Sequence, residues 1–202
     1  MPKSDRAILA NIRVTYKKPS DFSETPMISV NECFKNNAKL ESMFSCVSNL
    51  LVSNDEEFIS FIPLHRFLTK ADSIDMQQSF PKMKLPNLND QHVYSVRAQV
   101  LYSLGKNAAI RGPNAGFNWK EYVQYYADKD ARRKFNADTA ITHDVVLNDD
   151  EYYLGKYKYL RALVLQKKDR GFVAIYSFYT DKAKRRLAKY WKATEGILRY
   201  DD

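Results

Sequence analysis

Two cysteines, Cys33 and Cys46, and three histidines are all that this chain offers by way of soft metal ligands. They show no zinc-site spacing, so no metal is expected. On the single helix expected to carry both thiols, the 13 positions between them amount to roughly 20 Å of rise, beyond disulfide reach. Two reduced thiols suit the reducing interior of a cell, and a cytoplasmic location is expected, that of the host if the chain is viral. No apolar run approaches the ~18 residues of a membrane span, and the opening MPKSDRAILANIRVTYKK has no signal-peptide h-region, so no membrane partner is expected. There is no GxxxxGK followed by Ser or Thr, no nucleophile elbow and no pair of carboxylates at catalytic spacing. Hydrolysis at a P-loop is thereby excluded, and no cofactor is expected.

What is present is positive charge and tyrosine. The 202 residues carry a net charge of +8 and include 14 tyrosines, on an ordinary background of 45% hydrophobic and 28% charged residues. That background excludes wholesale disorder. The length fits one domain, 1–202, with a helical or irregular insertion at about 28–91. Basic charge attracts polyanions over long range, and aromatic faces offer stacking surfaces for bases.

Periodicity predicts the elements. Residues 7–16, AILANIRVTY, have the β-branched alternation of an opening strand, and Pro19 ends it. Ser29 and Glu32 form a capping-box pair ahead of Leu40, Met43, Phe44, Val47, Leu50 and Leu51 at helical spacing, which predicts a helix over 30–52. EFISFI, 57–62, predicts a buried strand, and 64–91 is punctuated by Pro and Asn as an irregular stretch. A strand is predicted over 92–104 and a helix over 119–135, the latter capped by Asn118 with Glu121. Strands at 152–166 and 172–179 around a turn at 167–171 make a β-hairpin, and Thr180 or Asp181 caps a final helix to about Leu198. The class is α+β: an antiparallel sheet, with an OB-like barrel as one form of it, and a C-terminal amphipathic basic helix packed upon it.

The charge is concentrated. From Glu151 to Asp202 there are 13 Lys and Arg against 6 Asp and Glu, so this quarter carries nearly all of the excess. On a continuous helix, Lys182, Arg185, Arg186, Lys189 and Lys192 fall within an arc of about 120°, opposite Ala183, Leu187, Trp191, Thr194 and Leu198. Like charges at that spacing destabilise a helix by a few tenths of a kcal/mol, which points to a phosphate-binding face rather than a solvated one. In the hairpin, Tyr157, Tyr159 and Arg161 share one side of a strand and Lys156 and Lys158 the other. The two tyrosines either stack on bases or pack beneath the final helix, and the pattern leaves both open. Lys106 and Arg111, among the glycines of the 105–118 loop, form a weaker candidate phosphate cradle.

Three segments carry a resemblance. LANIRVTYKKP, VYSVRAQVLY and the pair EYYLGKYKYLRALVL and RGFVAIYSF resemble the first strand, the next strand and the closing hairpin of phage-type single-stranded DNA-binding proteins with an OB-fold barrel. That likeness implies a single-stranded nucleic acid as partner. The order of helices before a basic terminal sheet also resembles the barnase/EndoU/colicin/RelE-like ribonucleases, which cut RNA without metal. The second likeness implies His143 as the base, Lys158 or Arg161 as the electrophile, and Tyr179 or Thr180 near the reacting centre. The residues themselves favour a binding protein over an enzyme, with binding of single-stranded DNA or RNA foremost. The alternatives are a metal-independent ribonuclease with His143 as candidate catalytic residue, or a phage-encoded inhibitor whose partner is a protein.

Overall fold

A computed structural model describes residues 3–25, 50–62, 70–79, 81, 87–103, 118–147 and 155–202. The organising element is the hairpin of β7 (Tyr159–Lys167) and β8 (Gly171–Tyr179), paired from Tyr159 opposite Tyr179 to Lys167 opposite Gly171. Its turn needs positive φ at Asp169 and at Gly171, where φ is +80° and only glycine is free of a Cβ clash. Every residue of β8 is buried. Its run of apolar and aromatic residues, interrupted only by Ser177, whose hydroxyl bonds to that of Ser60, fits a strand covered on both faces.

Around the hairpin lie β2 (Phe22–Thr25), β3 (Leu50–Ser53), β4 (Phe58–Phe61), β5 (Val123–Tyr125) and β6 (Thr139–Val146), in the order β2-β3-β4-β8-β7-β6-β5. Each pairing is antiparallel. The short strands β1 (Val14–Tyr16) and β9 (Leu198–Tyr200) form a separate ribbon. Among the described residues the large sheet is open, with β2 and β5 at its edges, so no OB-like barrel closes. Residues 50–62, inside the stretch read as an insertion, supply β3 and β4 to this sheet.

Alternation sorts the sheet into two cores. On one face Leu163, Leu165, Val173 and Ile175 pack with Leu9 and Ile12 of α1 (Lys3–Asn11) and its exit, Phe135 of α4 (Asp128–Phe135), and Tyr190 of α6 (Leu187–Thr194). On the other, Ala162, Val164, Ala174, Tyr176 and Phe178 lie under Val96 and Val100 of α3 (Gln91–Ser103). The remaining α-helices among the described residues are α2 (Lys70–Ser79) and α5 (Asp181–Lys184). No helix among the described residues is long and apolar enough to cross a membrane.

Four predicted elements are corrected. Residues 7–16 are not one strand: α1 runs to Asn11, Arg13 takes a left-handed φ of +54°, and only Val14–Tyr16 is extended. The predicted strand 92–104 is helix α3, because His92, Val96, Gln99 and Val100 are buried at helical spacing. The segment 119–135 divides into a 3₁₀ turn at Trp119–Tyr122, β5 and α4. The Asn118 amide donates to the Glu121 carboxylate rather than capping the backbone, so no long helix starts there. The single final helix is two, α5 and α6, and Leu198 belongs to β9. Of the predicted helix 30–52, residues 30–49 lie outside the described residues, with both cysteines, while Leu50 and Leu51 stand in β3.

Candidate nucleic-acid interface

Thr180 ends β8 and caps α5, its hydroxyl accepting from the Ala183 N–H at 3.3 Å. Ala183 is buried against the sheet, whereas Lys182, Lys184, Arg185 and Arg186 are exposed. The chain then breaks for two residues. The break lets α6 set Tyr190 and Thr194 inward, with Leu187 and Trp191 half-buried, and leaves Lys189 and Lys192 exposed. The cations are exposed on two short helices instead of one. Of the predicted stripe, Ala183 and Thr194 are buried on them, Leu187 and Trp191 are half-buried, Leu198 lies in β9, and Tyr190 takes an inward place outside that stripe.

The sequence showed no acid among the five cations, but the fold brings some. The β3–β4 connection presents Asp55 and Glu57: Arg186 pairs with Asp55 at 2.9 Å and Lys182 with Glu57 at 3.3 Å. Burial alone would raise the Asp55 carboxyl. Hydrogen bonds from Tyr190, Ser53, the Glu57 N–H and Arg186 outweigh it and hold the group at about 2. Glu57 is likewise lowered, first by the hydrogen bond from Thr180. Arg185, Lys189 and Lys192 have no ion-pair partner among the described residues.

The hairpin residues knit the sheet to this unit. Tyr157 is buried, its hydroxyl donating to the Glu56 carbonyl at 2.9 Å, and Lys156 donates to the same carbonyl at 2.7 Å. Tyr159 stacks on Tyr179 with centroids 5.3 Å apart, and its hydroxyl donates to Asp181. Lys184 sits 4.1 Å above the Tyr159 ring, and Lys158 pairs with Asp181 at 2.8 Å. The two rings therefore do not share one side as the alternation predicted: Tyr157 belongs to the core under α3, and the half-buried Tyr159 packs against Tyr179 and Lys184. Arg161 makes a two-pronged bond to Asp144, at 2.7 and 2.8 Å, with its guanidinium over the half-buried Trp191. Lys106 and Arg111 lie outside the described residues.

His143 is not beside these groups. It stands on β6 opposite Ala162, pointing into the core under α3, while Arg161 and Asp144 point to the other face. It is 3% exposed, its Nε2 is bonded to the Gln99 side chain at 2.7 Å, and burial pushes its pKa down to about 4. His143 and Arg161 on opposite faces of the sheet cannot meet one phosphate, so the structure does not bring that pair together. Among the described residues no three His, Cys, Asp or Glu side chains gather as a metal site.

The fold also reveals surface groups that the periodicity did not mark. Tyr122 and Tyr125 stand about half exposed at the β5 edge of the sheet, where the adjoining Tyr126 hydroxyl accepts from Trp191 Nε1 at 3.1 Å. Arg6, Lys17 and Lys18 line a cavity between α1, β1 and β2. A dibasic pair before Pro19 was visible in the sequence, but only the β1–β9 ribbon brings it beside the C-terminal end of α6, through the Lys17 N–H donating to the Ile197 carbonyl. Compared with known proteins, the chain matches no family model, no curated protein and no solved structure.

Proposed function

We propose that the chain binds nucleic acid, single strands in preference, by gripping backbone phosphates on the α5–α6 surface. The observation that carries this reading is the trio Arg185, Lys189 and Lys192, exposed on one short helical unit with no carboxylate paired to them among the described residues. Self-repulsion of this kind has a cost in the free protein that a polyanion removes. Lys182 and Arg186, held by Glu57 and Asp55, serve as the fixed rim of the surface. The preference for single strands is supported by Tyr122 and Tyr125, whose exposed rings lie at the sheet edge linked through Tyr126 to Trp191 of α6.

The test is a filter-binding titration of single-stranded DNA, single-stranded RNA and duplex over a range of salt concentrations. Each phosphate contact on a single strand contributes about 0.7 to the slope of log K against log salt, so a variant with glutamine at 185, 189 and 192 should flatten it by about 2. Glutamine at 182 and 186 should flatten it less, because those charges are already neutralised by carboxylates. Replacing Tyr125 with alanine should cost about 1–3 kcal/mol of binding with the slope unchanged. Wild-type affinity and slope in the triple variant would overturn the reading, and absence of binding to all three probes would leave an acidic protein surface as the partner.

A further inference from the structure

Between α1, β1 and β2 lies a cavity of about 610 Å³, lined among the described residues by Arg6, Tyr16, Lys17, Lys18 and Glu24 over the buried side chains of Leu9 and Val14. Its volume falls in the range of sites for nucleotide-sized molecules. We propose that it binds a phosphomonoester on an organic body, such as a nucleoside monophosphate or the phosphorylated end of a strand.

The argument is one of charge and placement. Among the described residues three cations face one carboxylate. Glu24 accepts a hydrogen bond from the Tyr16 hydroxyl, whose pKa is raised first by burial and then by that bond. The carboxylate is thus committed to a wall of the cavity. Lys18 donates to the Phe22 carbonyl at 2.7 Å, so its ammonium is held in position by a neutral group and keeps its full charge. Arg6 and Lys17 are exposed and have no ion-pair partner among the described residues. An excess of two positive charges in a concave site matches a phosphate dianion, and the Arg6 guanidinium can offer it two parallel donors. The half-buried Tyr16 ring and the apolar floor suit the organic body that a bare phosphate lacks.

Nothing in this assignment requires the α5–α6 surface, and the experiment keeps the two apart. Binding of adenosine 5′-monophosphate, adenosine and inorganic phosphate to the full chain would be measured by calorimetry, alongside a 12-nucleotide strand with a 5′-phosphate or a 5′-hydroxyl. The monophosphate or the phosphorylated strand is expected to bind at least tenfold more tightly than adenosine or the hydroxyl strand. Lys17→Gln with Lys18→Gln should remove that preference, and Arg6→Gln should weaken it by about tenfold. These side chains are exposed, so an unchanged melting temperature in each variant would show an intact fold. The Arg185→Gln and Lys189→Gln variant should keep the preference while losing strand affinity, which separates failure of this site from failure of the strand surface. A phosphate-dependent preference in the strand alone assigns the site to strand ends, and one in the mononucleotide assigns it to free nucleotides. Equal binding of phosphorylated and unphosphorylated probes, or a preference that survives loss of Lys17, Lys18 and Arg6, would overturn the proposal.

Discussion

Replacing Phe58 with alanine is expected to lower the unfolding free energy by about 3–5 kcal/mol, a large share of a typical total of about 5–15. Phe58 is fully buried on β4 and lies where three elements meet. Its ring stacks on Tyr190 of α6 with centroids 5.0 Å apart, on Tyr179 of β8 at 5.9 Å, and meets Phe22 of β2 edge-on at 6.1 Å. Alanine would remove the middle member of that cluster and leave a void between the sheet and α6. The neighbours cannot collapse into it, since the Tyr190 hydroxyl is tied to Asp55 and Phe22 is pinned by the β2–β3 register. Leucine keeps most of the volume and should cost much less. The measurement is the denaturant midpoint with slope m checked for constancy. A loss under about 1 kcal/mol for alanine would mean that α6 is not seated on this cluster.

The same cluster explains what was legible in the sequence. The hairpin and β4 were legible because their signals are local, although β7 begins at Tyr159 and residues 155–158 of the predicted strand are not part of it. A turn ending in Gly171, two flanking apolar runs and a proline after Ile62 need no knowledge of the rest of the chain. The inward stripe of the C-terminal unit was legible only in part, since the buried Tyr190 of α6 lay outside it and Leu198 belongs to β9. The break at Arg185 and Arg186 was not, because one cause lies elsewhere: Arg186 turns to Asp55, 131 positions away. Helix α3 was hidden by composition. Val93, Tyr94, Val96 and Val100 favour a strand individually, and two members of the buried stripe, His92 and Gln99, are polar. Only the network beneath the helix shows why polar residues belong there.

For the candidate interface, the sequence was informative about charge density and silent about pairing. The C-terminal cations are exposed as their spacing implied. The carboxylates that divide them into paired and unpaired groups come from the β3–β4 connection, which pairs with this region only through the sheet order. Tyr157 and Tyr159 had the right alternation for stacking, but Tyr157 is buried in the core under α3 and Tyr159 lies against Tyr179 and Lys184. Exposed aromatics stand instead at Tyr94 on α3, at Tyr122 in the 3₁₀ turn and at Tyr125 on β5, whose three residues are too few for a periodic signal.

Acidification from pH 7 to about 4 should cost the native protein about 3 kcal/mol through His143 alone. The imidazole sits under α3 with Nε2 bonded to the Gln99 side-chain oxygen, while the Gln99 amide donates to the Tyr176 hydroxyl. That arrangement places the single ring proton on Nε2. A second proton must therefore go to Nδ1, which is buried with no hydrogen-bond partner among the described residues. Burial is the main cause of the lowered pKa, and the charge of Asp144 offsets only part of it. Between the ordinary value of 6.5 and the folded value of about 4, the unfolded chain takes up a proton that the native state refuses. Stability is thus fully present above pH 6.5 and is lost as pH falls through that window. His92, also lowered by burial, adds loss in the same direction. Asp55, held at about 2 against 3.8, acts at lower pH and does not confuse the reading. Unfolding free energies of the wild type and of His143→Gln, which can still donate to Gln99 but does not titrate, would be compared at pH 7 and pH 4.5. The wild type should lose about 2–3 kcal/mol more than the variant over that interval. Parallel losses in the two proteins would show that His143 accepts its proton in the native state, and with it that the core beneath α3 is open to solvent.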